Sequence, residues 1–451
     1  MNIGLFTDTY FPQLNGVAAS TATLAEQLRA KGHTVYIFAP TMPGASDNDP
    51  FVIRMPSMPC GFIQNYRVGL VYPPHVIRKI VSLHLDIIHT QTEFSLGMFA
   101  KSLSKICAIP MIHTYHTMYE DYVHYFVNGA LVTKSMAHKF SRLFCNFASH
   151  VIAPTEKVRQ SLLEYGVTKP IHVIPTGIRL ERFAVGRFSK EEIAAARAEF
   201  GLDEDTFVIL VLGRMTKEKS IDVILRAMPE VFSQAPNARL LFVGDGQYRP
   251  ELMALTEELG IQDKVIFGGF RPWEKIGLYY QVGNLFVSAS QSETQGLTFV
   301  EAMAAGLPVV ARNDECIRGV VEDGVTGVLF DKEEDLPQKL LSLIQNPQQC
   351  QALRQAGLQK SATLSAETFG HRVEALYLSV MADWNAHFVR ADYAEHLAHI
   401  RHKHHKLLRL AAYELERLKH NQKQIKKLVR LPLKKPLSFT TENRRENDDC
   451  R

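Results

Sequence analysis

Short apolar runs alternate with longer amphipathic segments from the first residues of the chain onward. Residues 3–6 form an apolar run typical of a buried strand, residues 17–31 have the apolar spacing of a helix that ends at Gly32, and residues 33–38 form the next run. This order of strand, loop, helix and strand predicts a Rossmann-like opening of an α/β fold. The loop has no GxGxxG spacing, which argues against a nicotinamide cofactor.

A second series of the same kind begins near residue 207. Its predicted strands are 207–213, 239–244, 265–268, 285–288 and 308–311. We place the junction in the polar segment before this series, which predicts the domains 1–175 and 176–366. A helix at 367–385 is expected to cross back to the first domain, and 386–451 is an extension. Two Rossmann-like halves imply a cleft between them, the usual place for a ligand.

Polar residues follow several of these strands, where open parallel sheets bind their ligands. Gly16 ends the first loop, and it either lets a ligand approach the backbone or serves as an ordinary turn glycine. Another strand runs into His113 and His116. A single histidine at a strand end is more often structural, but two so close indicate that one lines a site.

In the second half, Arg214 and Lys219 leave the end of one predicted strand together. A guanidinium and an ammonium group in this arrangement suit a diphosphate, although charged loop residues are usually only solvated. Gly244 ends the next strand and either brings the backbone close to a nucleotide or simply turns.

The stretch 288–306 places Glu293 in a loop and Glu301 eight positions later. The alanine-rich run after Glu301 favours a helix that stops at Gly306, so Glu301 is expected near a helix start. A helix N-terminus suits a phosphate group. Taken alone, the two acids are better explained as a solvated loop acid and a helix-start Glu favoured by the helix dipole than as parts of a ligand site.

Composition limits the classes of protein. A chain of 451 residues is too long for one ordinary core, and no run of 18 apolar residues predicts a membrane span. The N-terminus has the pattern of a strand and not of a signal peptide. Six cysteines without CxxC spacing argue against a zinc site and fit a reducing cytosol. The acids with DxD spacing lie in polar connections and are interpreted as surface groups, so no metal site is expected.

Charge is distributed unevenly along the chain. The net charge is +4, yet residues 400–436 hold twelve Lys and Arg against two Glu, after a mildly acidic body. Apolar residues in this basic segment follow one helical stripe. An anionic membrane surface is the expected partner, and a short coiled coil or a helix packed on the rest of the protein are the alternatives. No recognition motif supports nucleic-acid binding.

Residues 131–147 have helical apolar spacing, with the basic residues Lys134, Lys139 and Arg142 beside the apolar face. A half-buried surface helix is the common meaning of this pattern. A basic flank beside phenylalanines is also what interfacial membrane helices use.

Four motifs in the second half occur in a fixed order. They are Gly213-Arg214 with Lys219, Val243-Gly244-Asp245-Gly246, Gly268 with Arg271-Pro272, and Glu293 with Glu301 followed by Ala302-Met303-Ala304-Ala305-Gly306. Together they resemble the family-four retaining glycosyltransferases of GT-B fold, and the likeness extends over residues 1–385. The resemblance implies an α/β protein of two Rossmann-like domains, with a sugar-nucleotide donor bound by the second domain and no required metal or cofactor.

The resemblance also implies roles for single residues. Arg214 and Lys219 would neutralise the diphosphate leaving group, Glu301 would bind the ribose hydroxyls, and Glu293 would contact the donor sugar. His116 would lie beside the reacting sugar. The remaining donor contacts implied are Gly16, Gly244 and the backbone at Gln295, Gly296, Leu297 and Thr298. The two glutamates are not assigned as an acid and nucleophile pair.

The first half resembles a narrower group, the bacterial glucosyltransferases that act on diacylglycerol, through residues 6–13, 89–97 and 113–125. This implies UDP-glucose as donor, diacylglycerol as acceptor, and a peripheral position on the cytoplasmic face of the cell membrane. Asp8, Glu93 and Tyr119 are possible acceptor-side residues, and buried structural hydrogen bonding explains the two acids equally well.

Two alternatives remain open for the function. The protein could extend an existing glycolipid or use another sugar nucleotide, or it could be a noncatalytic membrane-binding scaffold.

Three residues depart from the family pattern. Thr176 and Arg179 stand where the family often has Asn and Asp, and Ser220 replaces a usual Gly.

Overall fold

The structure is a computed structural model of the full chain. It describes residues 1–13, 15–45, 49–60, 67–69, 74–119, 133–290 and 295–388. Glu293 and the basic segment at 400–436 lie outside the described residues, so the predictions for them stay predictions.

A seven-stranded parallel sheet forms the first half, in the order β3-β2-β1-β6-β7-β8-β9. The strands are β1 (Asn2–Phe6), β2 (Thr34–Pro40), β3 (Val52–Met55), β6 (Ile87–Thr90), β7 (Met111–Thr114), β8 (His150–Ala153) and β9 (Ile171–Val173), and β4 (Ser57–Pro59) pairs with β5 (Arg67–Gly69) in a separate ribbon. The helices are α1 (Gly16–Ala30), α2 (Pro74–Val81), α3 (Ser95–Cys107), α4 (Lys134–Cys145) and α5 (Glu156–Glu164). Helices cover both faces of such a sheet, so its central strands are continuous apolar runs.

A second parallel sheet has the order β12-β11-β10-β13-β14-β15. Its strands are β10 (Phe207–Leu212), β11 (Ala238–Val243), β12 (Val265–Phe267), β13 (Leu285–Ser288), β14 (Val309–Arg312) and β15 (Val328–Phe330). The helices are α6 (Lys190–Ala198), α7 (Ile221–Gln234), α8 (Arg249–Glu258), α9 (Ile276–Val282), α10 (Leu297–Ala304), α11 (Leu336–Ile344), α12 (Pro347–Ala362) and α13 (Ala366–Phe388). The predicted α/β class with two Rossmann-like sheets is confirmed.

The long helix α13 packs against α1 of the first half. Its apolar residues Phe369, Val373 and Tyr377 belong to the same buried cluster as Ile3 of β1. A Cβ atom on Gly370 would come within 2.6 Å of the Gln27 Cβ, so the two helices cross at close range. The domain boundaries at 175 and 366 stay predictions.

The start of α10 differs from the expectation. The helix begins at Leu297, so Glu301 lies in its second turn and not at its start. Gly296 has the left-handed conformation (φ 70°) that turns the chain into the helix, and the apolar residues after it face the core. Their burial, and not the alanine run alone, determines where the helix begins. No helix in the described part of the chain is long and apolar enough to cross a membrane.

Candidate active site

A cavity of about 390 Å³ opens between the two halves at the carboxyl ends of their strands. The first half and the linker contribute Gly16, Val17, His116, Pro154 and Thr176 to its walls, and the second half contributes Gly213, Arg214, Met215, Lys219, Gln295, Gly296, Leu297 and Thr298. Its size is within the range of small-molecule sites. Eight of the predicted site residues therefore meet in one cavity, and Pro154 and Met215 join it without any signal in the sequence. We refer to this cavity as the cleft.

The loops after β10 and β11 are in contact at the base of the cleft. A Cβ atom on Gly244 would lie 1.9 Å from the Gly213 carbonyl oxygen, and both glycines have positive φ. Gly244 itself does not line the cleft. Its position lets the β10 loop, with Arg214 and Lys219, lie close against the sheet.

Gln295 connects the beginning of α10 to the segment between the two sheets. Its Oε1 accepts a hydrogen bond from the Thr176 backbone N–H (2.7 Å), and its Nε2 donates to the Thr176 carbonyl (2.8 Å). Both residues are buried. The side chain of Gln295 is thus engaged with the linker, and its neighbours Gly296, Leu297 and Thr298 also line the cleft.

Glu301 does not line the cleft. It lies in an adjoining cavity of about 60 Å³ that shares Thr176 and Leu297 with the cleft. Its Oε2 accepts a hydrogen bond from the Tyr280 hydroxyl (2.8 Å), and only 5% of the residue is exposed. Burial raises the pKa of Glu301 to about 7, and the bond from Tyr280 opposes this shift.

His116 is the histidine that lines the cleft. It is half-buried, and its Nε2 lies 2.8 Å from Oε1 of Gln91. Burial, with a smaller contribution from nearby His113, lowers the pKa of His116 to about 3, so the ring is neutral near pH 7. Gln91 lies within a stretch that carried the family resemblance, but no pattern in the sequence distinguishes it from its neighbours.

Asp8 is buried and does not line the cleft. Its carboxylate accepts hydrogen bonds from the Leu96 backbone N–H (2.9 Å), the Thr92 hydroxyl (2.6 Å) and the Ser95 hydroxyl. Leu96 is in the first turn of α3, so the carboxylate satisfies a helix N-terminus. Burial raises the pKa of Asp8, and these donors oppose that shift.

Glu93 is also buried, between His113 and Tyr119. Its Oε1 lies 3.1 Å from Nε2 of His113, and its Oε2 accepts a hydrogen bond from the Tyr119 hydroxyl. Tyr119 packs edge-on against Phe94 and Phe140. None of the three predicted acceptor-side residues lines the cleft. They form part of the packed interior beside it.

Lys134, Lys139 and Arg142 are exposed on α4, away from the cleft lining. They share the surface of the helix with the exposed Met136 and Leu143. The structure therefore separates these basic residues from the predicted donor residues.

Ion pairs join the halves of the molecule. Lys157 at the start of α5 lies 2.9 Å from Asp314, which follows β14. Arg179 pairs with Glu26 of α1, so the arginine that departs from the family pattern has a partner in the first half. Among the described residues, no group of three or more His, Cys, Asp or Glu side chains is arranged to hold a metal ion.

Comparison with known families gives two matches along the chain. Residues 14–182 match the family described as Glycosyltransferase Family 4, and residues 192–360 match the family described as Glycosyl transferases group 1. The two matched segments contain the two parallel sheets almost completely.

Two relatives are similar over most of their length. The alpha-monoglucosyldiacylglycerol synthase of Streptococcus pneumoniae is 38% identical over 387 residues, which cover 85% of this chain and 87% of that protein. The enzyme of the same name from Acholeplasma laidlawii is 34% identical over 391 residues, which cover 84% of this chain and 98% of that protein.

Solved structures share the same architecture. HepE from Anabaena, solved in complex with UDP, is 20% identical with a TM-score of 0.67 and covers 84% of this chain and 100% of that one. The sucrose-phosphate synthase of Thermosynechococcus elongatus is 22% identical with a TM-score of 0.66 and covers 85% and 99%. At these identities the likeness establishes the shared fold, which is the predicted GT-B arrangement.

Proposed function

This chain belongs to the family-four glycosyltransferases, and we propose that it transfers glucose from UDP-glucose to the free hydroxyl of diacylglycerol at a membrane surface, with retention of configuration. The observation that carries the proposal is the similarity to two alpha-monoglucosyldiacylglycerol synthases over nearly their whole length. The cleft supports it, since eight of the residues that the resemblance assigns to the donor site line it.

The cations of the β10 loop supply the chemistry that departure of a nucleoside diphosphate requires. Charge builds on the phosphate oxygens as the bond to the sugar breaks, and cations already in position stabilise it. We assign this role to Arg214 and Lys219, with the backbone of Gly296 to Thr298 beside the sugar and phosphate. The reaction uses no metal in this proposal, because the two cations replace it at the leaving group.

Donor binding extends to three further residues. Glu293 contacts the donor sugar, and His116 faces the reacting sugar from the first half. Glu301 reaches the ribose from the adjoining cavity, which is connected to the cleft through Thr176 and Leu297. The two halves thereby hold the donor between them, and the acceptor enters along the first half.

A mixed apolar and basic surface on the first half suits docking to an anionic bilayer. Met136 and Leu143 of α4 are 52% and 54% exposed, and Phe147 just after the helix is 40% exposed. The Nζ atom of Lys101 lies 2.9 Å from the centre of the Phe147 ring. Apolar side chains of this kind enter the headgroup region, and nearby cations add about 1 kcal/mol each toward an anionic leaflet. The extension adds further cations.

Purified protein incubated with labelled UDP-glucose and diacylglycerol in anionic vesicles tests the transfer. We expect one labelled lipid that an α-glucosidase digests and a β-glucosidase does not. A product formed only from a glycolipid acceptor, or only from another sugar nucleotide, would replace the substrate assignment. Failure to label any lipid with several donors would support the noncatalytic scaffold.

Vesicle sedimentation tests the docking surface. Leu143→Glu should weaken binding to anionic vesicles, because it places a charge where the apolar face meets the bilayer. Leu163→Glu is the matched control, since Leu163 is a similarly exposed leucine on α5. Equal loss in both variants, or no loss in Leu143→Glu, would remove α4 from the membrane contact. Truncation at residue 390 tests the extension separately.

A further inference from the structure

A hydrogen bond at the edge of the first sheet joins His116, which lines the cleft, to Gln91, to which the proposed function assigns no role. Gln91 directly follows β6, and His116 lies two residues after the neighbouring strand β7. Oε1 of Gln91 lies 2.8 Å from Nε2 of His116. We propose that Gln91 is a positioning residue that holds His116 with its proton on Nε2, so that Nδ1 accepts a hydrogen bond from a substrate hydroxyl group.

The direction of the hydrogen bond follows from the atoms. An amide oxygen only accepts, so the ring nitrogen facing it must donate. A neutral imidazole has one N–H, and the other nitrogen then carries a lone pair. Because the pKa of His116 is about 3, the ring is neutral throughout the physiological range. The tautomer is therefore set by Gln91 and not by protonation.

Gln91 is itself held in place. It is 2% exposed, and its backbone N–H donates to the carbonyl of Phe6 in β1 (2.8 Å). Its side-chain Nε2 is buried and has no hydrogen-bond partner within the described ranges. A buried amide rarely leaves a donor unused, so this N–H₂ group retains bonding capacity for an oxygen atom at the same edge.

The other titratable groups around His116 are committed elsewhere. His113 bonds to Glu93 (3.1 Å) and to Thr90 (2.9 Å). His89 lies between the hydroxyls of Tyr377 (2.6 Å) and Thr114 (2.7 Å). Gln91 is thus the one side chain of the described residues that the hydrogen bonds place on the His116 ring.

This inference rests on the proposed function, because the proposed function places His116 beside the reacting sugar. The contact with Gln91 explains why the ring presents a lone pair to that sugar. Sugar hydroxyls donate readily, and a hydroxyl bound to Nδ1 has one defined orientation. A ring that changes tautomer would present N–H for part of the time and would lose that contact.

Kinetics of two variants test the positioning role. Gln91→Leu removes the acceptor at similar volume, and we expect turnover to fall about tenfold, the usual size of one lost hydrogen bond at a buried site. Gln91→Glu keeps the acceptor and adds a charge, so it should retain more activity. It should also raise the pKa of His116 and add a loss of activity on the acid side of the pH profile.

Thr90→Val is the matched control. It removes a hydrogen bond from the same strand to a histidine, but that histidine is His113, which does not line the cleft. We expect turnover close to that of the unchanged protein even if thermal stability falls. If Gln91→Leu and Thr90→Val behave alike, or if Gln91→Leu retains full turnover, the proposal is wrong.

The ¹⁵N chemical shifts of the His116 ring give a readout that packing alone does not change. They distinguish a proton on Nε2 from one on Nδ1, and a His116→Asn sample identifies the signals. We expect the Nε2–H form in the unchanged protein and a mixture in Gln91→Leu. An Nδ1–H form, or an unchanged tautomer in Gln91→Leu, would overturn the proposal. Because the measurement needs no substrate, its result does not depend on whether the proposed reaction occurs.

Discussion

Asp8 and Glu93 in the first half are buried and bonded to groups of the fold, whereas Arg214 and Lys219 in the second half stand on a loop at the cleft wall. Both sets lie near the carboxyl ends of parallel strands. The position of a polar residue in a parallel sheet therefore does not by itself indicate contact with a ligand. Whether the residue lines the cleft is the better criterion.

Glu301 shows that buried acids bonded to groups of the fold occur in the second half as well as in the first. It belongs to the second sheet, yet it is buried and bonded to Tyr280, as the first-half acids are bonded to their neighbours. His116 is the counterpart in the first half, because it is half-buried and lines the cleft. The predictions below separate residues that stabilise the fold from residues that act on a ligand.

Replacing Asp8 should affect stability more than catalysis. Asp8→Ala leaves the Leu96 N–H and two hydroxyls without their acceptor, which we expect to lower the free energy of unfolding by about 3 kcal/mol or more. Asp8→Asn keeps the shape and should lose less. Urea unfolding measures both. Activity per folded molecule should stay within a few-fold, and a folded Asp8→Asn protein without activity would return Asp8 to the acceptor site.

The stability of the protein should depend on pH through Glu301. Its folded-state pKa of about 7 is above the ordinary value of 4.5, so burial favours the neutral carboxyl. The associated stability is fully present below pH 4.5 and is lost as the pH rises through 7. A shift of this size corresponds to about 3 kcal/mol. Glu301→Gln cannot titrate, and its stability relative to the unchanged protein should therefore increase over this pH range.

Unfolding at several pH values in buffers of constant ionic strength measures this difference. The same difference at pH 5 and pH 8 would show that Glu301 is not held neutral in the fold. The second-half acid would then behave as a solvated group, and the likeness between Glu301 and the buried first-half acids would fail.

Lys219→Ala should produce the opposite pattern from Asp8→Ala. Loss of one partner in a charged hydrogen bond costs about 1.5–3 kcal/mol, so turnover should fall at least tenfold with little change in stability. Lys217→Ala is the matched control, because Lys217 lies two residues away on the same turn, is exposed and does not line the cleft. Equal turnover in the two variants would contradict the assignment of Lys219 to the leaving group.

The sequence predicted the two sheets and the cleft because strand and helix periodicity depend on local apolar spacing. Residues 207–213 and 265–268 were expected as strands, and the structure has them within one residue. The pairing of Gln295 with Thr176 across 119 positions, and of His116 with Gln91, depends on side chains that meet only in the folded chain. No local pattern distinguishes such a glutamine from a solvated one.

The smallest expected effect concerns Ser220, which ends the turn that carries Lys219. Its φ of 47° is in the left-handed region, which costs a non-glycine residue about 1–2 kcal/mol, and the family has Gly there. Ser220→Gly removes this strain but adds flexibility to the unfolded chain, so we expect a net gain of about 0.5–1 kcal/mol in the free energy of unfolding. Turnover should change little, since the loop already holds its conformation.

The matched variant is Ala108→Gly. Ala108 is the left-handed residue that ends α3 in the first half (φ 53°), so the change to Gly should increase stability by the same mechanism without any effect on turnover. A drop in turnover in Ser220→Gly alone would mean that the serine itself holds Lys219 in place, and the second-half loop would then depend on the fold as closely as the buried acids of the first half do.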